Sequence, residues 1–424
     1  MLATTAAAKP DRKAVIAWAF YDWANSAFAL TVVSAFFPLF LRQFWSAGGD
    51  SASSTLQLGI ANSAASIFVA LLAPILGAIA DRGSAKKTWL LAFTAIAVAM
   101  TAALSVVAHG DWPQAIALFI AASVGFAAAN IFYDALIVDV ARGERLHYVS
   151  SLGFGMGYLG SGLLFAVNVM MTLWPQRFGL ADSAQAVRLS FVLVAVWWAV
   201  FTIPLMLFVS ESRGRDRTSG RAAVAAGLSQ LAATVRQLRR HRSVGLFLLA
   251  YWCYIDGIYT IARMAVDYGM ALGFDPHSLI VALLITQFIG FPAAIAFGHA
   301  GERLGAKPAL FAGIAAYAGA TVWSYFMTEV WEFYALAALV GLVQGGVQSL
   351  SRSFYARLIP AGQAGEFFGF YNMAGKFATV LGPVMMGVAG ALTGNPRLGI
   401  SAILLLFIVG ALLLSRVEDS NGIH

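Results

Sequence analysis

Ionisable side chains stand inside long apolar segments of this chain, and each needs a partner or a cavity. Asp22 lies in the first such segment, with Asn25 and Ser26 three and four residues later. This spacing places the three side chains on one face of a helix. An ionised group in the middle of a membrane helix costs roughly 2.5–3.5 kcal/mol on insertion scales. A polar face of this kind can contact a solute or exchange a proton.

A second carboxylate, Asp256, corresponds to Asp22 when the two halves of the chain are aligned, and the same alignment pairs Asn25 with Tyr259. The segment around Asp256 carries one helical face of polar and aromatic residues, spaced three or four apart: Trp252, Asp256, Tyr259 and Arg263. We therefore hypothesise that Asp22 and Asp256 face a central cavity and that at least one exchanges a proton or contacts substrate.

Other segments add further candidates for a substrate or proton site. They are Asn130 and Asp134, the i+4 series Gln344, Gln348 and Arg352, and the pair Asn372 and Lys376. We take Lys376 and Arg263 as candidate counter-charges for the two carboxylates. The alternative is that these charges form static salt bridges that fix helix packing.

The composition indicates a membrane protein. Hydrophobic residues make up 60% of the chain and charged residues 11%, and the mean hydropathy is +0.77. A soluble globular chain has about 25% charged residues, so that class is excluded. The single cysteine, Cys253, lies in an apolar segment and cannot form an intrachain disulfide. We expect no metal site and no cofactor.

Apolar stretches of roughly 20 residues recur about twelve times, which predicts about twelve transmembrane helices. Basic residues concentrate in alternate connections, and this positive-inside bias predicts cytoplasmic termini. It also explains the net charge of +7 without nucleic acid. We predict three parts: a six-helix bundle at 1–209, a basic cytoplasmic linker with an interfacial amphipathic helix at 210–243, and a second six-helix bundle at 244–424.

The two halves repeat one another. FYDALIV at 132–138 returns as FYARLIP at 354–360, and the same offset aligns Gly153 with Gly375 and Gly160 with Gly382. Tandem bundles of this kind are typical of secondary transporters. We therefore predict an all-α membrane protein whose two six-helix bundles are related by a pseudo-two-fold axis.

A loop motif occurs once in each half. GAIADRGSAKK begins at Gly77, and GHAGERLGAKP begins at Gly298. The motif resembles the loop signature between the second and third helices of the major facilitator superfamily. We expect a conformational latch where the bundles meet, because glycine permits close helix approach and an acid can lie against a helix terminus or a basic residue. Its residues are Gly77, Asp81, Arg82, Lys86, Gly298, Glu302, Arg303 and Lys307.

Three longer segments narrow the resemblance. They are YDWANSAFALTVVSAFFP at 21–38, YDALIVDVARGERLHYVSSLGFGMGYLGSG at 133–162 and QSLSRSFYARLIPAGQAGEFFGFYNMAGKFATVLGP at 348–383. They resemble the vacuole-effluxer-like branch of that superfamily, whose founding fungal members export amino acids from vacuoles. The resemblance implies the major facilitator fold and a transporter that alternates access to a central cavity.

We therefore expect a secondary transporter of a small polar or zwitterionic solute, with an amino acid favoured and proton coupling as one option. One alternative is efflux of drugs or lipid-like amphiphiles. A receptor or an intramembrane enzyme is a second alternative, disfavoured because the chain shows no paired nucleophile and base and no HExxH or cysteine cluster. The expected partners are a small-molecule substrate and a lipid bilayer. We expect a monomer in the inner membrane of a bacterium.

Overall fold

The computed structural model describes residues 12–46, 51–82, 85–141, 143, 145–211, 241–360, 363–378, 381–393 and 396–418. These residues form helices and connecting turns, and no strand occurs among them. Most of the predicted linker, residues 212–240, lies outside the described residues, and so does its amphipathic helix. The division into 1–209, 210–243 and 244–424 stays a prediction.

The first half of the chain supplies six long helices. Helix α1 spans Arg12–Trp45 and includes π-helical turns at Phe28–Phe36 and Leu41–Trp45. The next five are α2 (Ser51–Arg82), α3 (Lys86–Ala103), α4 (Trp112–Ala135, continued by a turn at Ile137–Val140), α5 (Arg145–Leu173) and α6 (Ser183–Phe208).

The second half repeats this arrangement, with two of its helices interrupted. Its first four helices are α7 (Arg242–Ala271), α8 (Pro276–Leu304), α9 (Ala306–Phe326) and α10 (Val330–Leu358). Helix α11 is divided into α11a (Ala364–Phe377) and α11b (Leu381–Thr393), and α12 into Pro396–Ser401 and Leu404–Ser415. Within the described residues, ten helices are long and apolar enough to cross a membrane.

Consecutive helices alternate in direction, which gives the molecule two ends. We call the end where α1 and α7 begin the linker end, and the opposite one the far end. Inside the bundles, α1 packs against α5 and α6, and α7 packs against α11a and α12. Between the bundles, α5 packs against α8 and α10, while α2 and α4 pack against α11a. The contacts of α11a lie in the linker half, because α11a is the half of its helix that begins there.

Charged side chains form hydrogen bonds with backbone groups of helix ends, both at the linker end and at the far end. At the far end, Asp111 and Asp182 accept hydrogen bonds from the first turns of α4 and α6. At the linker end, Lys87 Nζ donates to Val209 O at 2.7 Å, and Lys307 Nζ donates to Val417 O at 2.7 Å. Each lysine thus satisfies a backbone oxygen just beyond the last helix of its own half, so the two halves use the same device.

Candidate functional site

A single guanidinium joins the two halves of the molecule. Arg352 lies about two turns before the linker end of α10 and is only 3% exposed. Its Nη2 lies 3.3 Å from Oδ2 of Asp22 on α1, and its Nη1 lies 3.2 Å from Oδ1 of Asp134 on α4. One cation of the second half therefore pairs with two carboxylates of the first half.

Ser150 and two aromatic rings also contact the Arg352 guanidinium. Its Nε donates to the Ser150 hydroxyl at 2.9 Å, and its Nη2 donates to the Ser150 carbonyl at 2.9 Å. The guanidinium carbon lies 4.9 Å from the Trp18 ring centre and 4.4 Å from that of Phe154. Cation–π attraction and hydrogen bonds thus replace the water that this buried charge has lost.

Each of the two carboxylates also accepts a hydrogen bond from a neutral side chain. The Tyr133 hydroxyl donates to Asp22 Oδ2 at 2.8 Å, and the amide of Asn372 on α11a donates to Asp134 Oδ2 at 3.0 Å. With both acids ionised, they and Arg352 together carry one excess negative charge. Because an unbalanced charge is costly in a buried site, binding of one proton would neutralise the cluster.

A glycine on α5 allows these groups to meet. A Cβ on Gly153 would lie 2.6 Å from Asp22 Oδ2, 2.9 Å from a Trp18 ring carbon and 3.1 Å from Arg352 Nη2. Real Cβ atoms do not approach other atoms so closely, so any side chain here would force the ion pair apart. The α5 backbone therefore forms one wall of the Asp22–Arg352 contact.

The second predicted carboxylate has different partners. Asp256 is 1% exposed, and its Oδ1 accepts from the backbone N–H of Gly382 at 3.0 Å and from the Thr260 hydroxyl at 3.3 Å. Gly382 is the second residue of α11b, so the carboxylate lies at the positive end of that helix. Asp256 Oδ2 and the indole Nε1 of Trp252, one turn earlier, are buried and have no hydrogen-bond partner among the described residues.

Of the two carboxylates Asp22 and Asp256, only Asp22 forms an ion pair with another described residue. Asp22 pairs with Arg352, and no ion pair between described residues involves Arg263. Arg263 is exposed instead, seven residues beyond Asp256 on α7. The Lys376 side chain lies outside the described residues, so its proposed role stays a prediction.

The remaining site candidates lie nearby on the same helices. Asn25 donates to the side-chain oxygen of Asn130 at 2.7 Å, which joins α1 to α4. The Tyr158 hydroxyl donates to Gln348 across the halves at 3.4 Å, a long hydrogen bond. Gln344 and Tyr259 are half-buried. The structure thus brings Asp22, Asp134, Arg352 and Asn372 into one cluster and leaves Asp256 in a separate one.

A second set of polar contacts joins the halves nearer the linker end. Ser151 and Ser349 hydroxyls lie 2.8 Å apart, and His147 Nδ1 lies 2.7 Å from the Ser353 hydroxyl. Arg357 Nη1 lies 3.1 Å from His147 Nε2. Because a guanidinium only donates, Nε2 accepts, and a neutral imidazole then carries its proton on Nδ1 and donates to Ser353. The linker end is thus closed by contacts that need neutral His147.

The predicted latch is only partly described. A Cβ on Gly298 would lie 2.6 Å from Ser151 Cβ, so this glycine permits α8 to approach α5. Lys86 pairs with Asp139 at 2.9 Å inside the first bundle. The side chains of Asp81 and Arg82 lie outside the described residues, while Gly77 is buried in α2. Glu302 is half-buried and Arg303 exposed, and neither forms an ion pair with another described residue.

Several residues of the interface escaped prediction. Tyr133, His147, Ser150, Ser349, Ser353 and Arg357 all contribute contacts described above. One signal was available: Ser349, Ser353 and Arg357 follow the i+4 spacing in the basic end of α10, which marks one polar face. Their partners on α5, His147 and Ser151, are also four residues apart, but serine and histidine among glycines resemble ordinary close packing.

Solved structures of transporters share this fold. The proton:xylose symporter XylE matches with a TM-score of 0.71 and 14% identity, over 96% of this chain and 95% of its own. The human organic anion transporter MFSD10 matches with a TM-score of 0.72 and 16% identity, over 96% of this chain and 100% of its own. These neighbours confirm the predicted all-α fold of the major facilitator superfamily.

Sequence relatives narrow the assignment. The uncharacterized MFS-type transporter YxiO of Bacillus subtilis (strain 168) is 38% identical over 407 residues, covering 96% of this chain and 95% of YxiO. Autophagy-related protein 22-2 of Aspergillus clavatus is 26% identical over 265 residues, which is 57% of this chain and 43% of the fungal protein. The full-length relative is thus an MFS-type transporter, and the partial one is an autophagy-related protein 22.

The family model described as "Vacuole effluxer Atg22 like" matches residues 10–146 and 139–424, nearly the whole chain. It includes every residue of the Arg352 cluster. The chain therefore belongs to the Atg22-like vacuole-effluxer family and is a multi-pass membrane transporter of the major facilitator superfamily.

Proposed function

We propose that this protein is a secondary active transporter that moves a small zwitterionic solute, with an amino acid favoured, by alternating access. The observation that carries the proposal is the Arg352 cluster, in which one guanidinium of the second half pairs with two carboxylates of the first half. Opening the linker end must separate these groups. The free energy of the cluster therefore sets how readily the transporter opens.

Separation of the bundles changes the charge balance of the first half. When Arg352 leaves, Asp22 and Asp134 remain together without their shared cation. Loss of the shared cation and like-charge repulsion both favour the neutral acid, so at least one carboxylate takes up a proton as the cluster opens. Proton uptake is thereby linked to the conformational change. This is a specific route to the proton coupling that the sequence left as one option.

A zwitterion suits the groups that opening would expose. The solute's ammonium group can pair with a carboxylate, and its carboxylate can pair bidentately with the Arg352 guanidinium. Either contact partly replaces the one broken between the bundles. The resemblance to amino acid exporters of fungal vacuoles favours an amino acid over an apolar drug or a lipid-like amphiphile.

The proposal includes an orientation. The linker end is cytoplasmic, because the basic linker and most basic loops lie there. A cysteine placed at Ser219 in the Cys253→Ser background should resist a membrane-impermeant thiol reagent applied to intact cells. Labelling of that cysteine from outside would reverse the orientation.

Counterflow in proteoliposomes tests the transport function. Purified protein is reconstituted, the vesicles are loaded with each of a panel of amino acids, and entry of the same labelled amino acid is followed. We expect exchange for a subset of the panel, accumulation when the pH gradient is imposed, and loss of both in Arg352→Gln. Arg416→Gln removes an exposed charge at the same end of the molecule and serves as the matched control.

The outcomes separate the alternatives. Exchange that is abolished by Arg352→Gln but indifferent to pH would support transport and remove the proton step. Uptake of a fluorescent amphiphilic dye, with no amino acid exchanged, would replace the substrate class by the efflux alternative. Absence of any counterflow across amino acids and dye, in folded protein, would overturn the proposal.

A further inference from the structure

An open groove of about 620 Å³ lies on α8 at the linker end, away from the Arg352 cluster. Its lining residues are Ala296, His299, Ala300, Arg303 and Leu304. Residues at positions i, i+3, i+4 and i+7 share one face of a helix, so the groove follows that face for about 10 Å. Its walls are apolar for most of their length and cationic where α8 ends.

The polar groups of the groove have unused hydrogen-bonding capacity. Arg303 is exposed, and no hydrogen bond or ion pair joins it to another described residue. His299 Nδ1 lies 3.0 Å from the Ile295 carbonyl, which can only accept, so Nδ1 carries the proton. In the neutral imidazole Nε2 is then an acceptor. The groove thus offers a guanidinium for an anion and an imidazole nitrogen for a hydroxyl.

The groove lies beside the seam between the two bundles. The His299 ring meets the ring of Tyr148 on α5 edge to face, with centroids 5.1 Å apart. Tyr148 follows His147, which closes the linker end through Ser353 and Arg357. Arg303 is next to the last residue of α8 and therefore lies at headgroup depth, whichever way the protein faces.

We propose that this groove binds one anionic phospholipid whose headgroup also carries a hydroxyl, with phosphatidylglycerol as the model ligand. The phosphate accepts from the Arg303 guanidinium, the headgroup hydroxyl donates to His299 Nε2, and the start of one acyl chain lies along Ala296 and Ala300. The bilayer surrounds this surface and supplies the ligand. Charge complementarity at the end of α8 selects an anionic lipid over a zwitterionic one.

Lipid binding is linked to the closed linker end. His299 contacts Tyr148 across the seam, so separation of α5 from α8 would change the headgroup site. A ligand that binds one conformation better shifts the population toward it. Phosphatidylglycerol should therefore favour closure, and this regulation would operate on any solute the protein carries.

Native mass spectrometry measures the binding without a transport assay. Delipidated protein in detergent is titrated with phosphatidylglycerol, phosphatidylethanolamine and phosphatidic acid of identical acyl chains, and bound lipid is counted. We expect one phosphatidylglycerol to bind most tightly, with affinity reduced about five- to tenfold by Arg303→Gln and less by His299→Phe. Arg416→Gln, which removes an exposed cation at the same end outside the groove, should bind as wild type.

Each result decides the matter. If Arg303→Gln and Arg416→Gln lower the affinity for phosphatidylglycerol equally, the lipid is attracted to basic residues in general. The groove would then not be a specific lipid site. If phosphatidic acid binds as tightly as phosphatidylglycerol, the headgroup hydroxyl does not contact His299. The proposed ligand with a headgroup hydroxyl would then be wrong. Displacement of the lipid by equimolar inorganic phosphate would make free phosphate the ligand and overturn a lipid source.

Discussion

The two carboxylates that the internal repeat aligns, Asp22 and Asp256, are stabilised in different ways. Asp22 on α1 is held by Tyr133 of its own bundle and by Arg352 of the other. Asp256 on α7 is held within its bundle by Thr260 and the backbone of Gly382. The same position in the two halves is therefore an inter-bundle contact in one and an internal contact in the other.

The helix opposite each carboxylate explains the difference. α5 is continuous from Arg145 to Leu173, so its backbone N–H groups are used within the helix and offer nothing to Asp22. The repeat-related helix is divided, and α11b presents free N–H groups in its first turn. Asp256 uses one of them. Asp22 has no such backbone donor. Its partners are two side chains, Tyr133 of its own bundle and Arg352 of the other bundle.

Because their partners differ, Asp22 should affect mainly the conformational change of the protein and Asp256 mainly the stability of its own bundle. Relative motion of the bundles must break the contact of Asp22 with Arg352 but can leave the contacts of Asp256 intact. Substitutions at the two sites should consequently affect different measurements, and four predictions use that difference.

The largest effect is expected at Arg352. Arg352→Gln leaves Asp22 and Asp134 buried without their cation, and loss of one partner of a buried ion pair costs about 3–5 kcal/mol. We expect a lower melting temperature of the purified protein and no counterflow. The triple variant Arg352→Gln, Asp22→Asn, Asp134→Asn should recover the melting temperature but not transport. Wild-type counterflow in the single variant would contradict the role of the cluster.

Neutralising the two carboxylates separately tests the comparison directly. Ser151 and Ser349 hydroxyls are 2.8 Å apart, so cysteines at both positions, with Cys253→Ser, report closure of the linker end by disulfide formation. Asp22→Asn should reduce cross-linking, with a shift in the conformational balance of about 1–3 kcal/mol. Asp256→Asn should leave cross-linking unchanged while lowering the melting temperature. Equal cross-linking in the two variants would remove the distinction.

Glycine substitutions probe the same sites through steric contact. Gly153→Ala places a Cβ 2.6 Å from Asp22 Oδ2, and Gly382→Ala places one 2.8 Å from Asp256 Oδ1. Overpacking of this kind costs about 1–3 kcal/mol. Both variants should melt earlier, but only Gly153→Ala should reduce the cysteine cross-link.

Gly319 of α9 provides the control for these two variants. It also lies inside a helix, and a Cβ there would meet nothing within 4 Å. Gly319→Ala should be neutral or stabilising by up to about 1 kcal/mol. If it destabilises as much as Gly153→Ala, the losses reflect helix propensity or insertion and not the carboxylate contacts.

The smallest effect is expected at His147. Protonation of Nε2 removes its ability to accept from Arg357 and places two cations together, so the closed linker end should weaken as the pH falls from about 7 to 5. Spin labels at Thr88 and Leu304, both exposed at this end, report the distance between the bundles. His147→Gln keeps an acceptor that does not titrate, so it should remove the share of the pH dependence that comes from His147 and leave the share that comes from Asp22 and Asp134. An unchanged pH profile in that variant would assign the titration to another group.

Much of this architecture follows from the sequence alone. Apolar length gives about twelve segments, the repeat gives two bundles, and the spacing of Gln344, Gln348 and Arg352 marks a face of α10 on which Gln348 and Arg352 contact the first half. The rule that a charge inside a membrane helix needs a partner also identified Asp22, Asp134 and Arg352 as candidates. These signals succeed because they depend on periodicity and on the cost of burying charge.

The pairing of those charges could not be predicted. Arg352 reaches Asp22 because its guanidinium passes the α5 backbone at Gly153, a tertiary contact without a local sequence signal. Arg263 lies nearer to Asp256 in sequence and was the more obvious partner, yet the start of α11b competes for the carboxylate. The break in α11 was also not predicted, although the dipeptide Gly382-Pro383 is a sequence signal for such a break.

The Arg352 cluster also sets an order of events during synthesis. Arg352 follows Asp134 by 218 positions and Asp22 by 330, so at 5–20 residues per second Asp134 waits roughly 10–45 s for its cation and Asp22 roughly 15–65 s. During the later part of that interval the first six helices have been synthesised and contain two acids without their guanidinium. Quality-control proteases and insertases would meet this unfinished state in every molecule. The first six helices expressed alone should therefore be short-lived in the cell, and co-expression of the second six should prolong their lifetime.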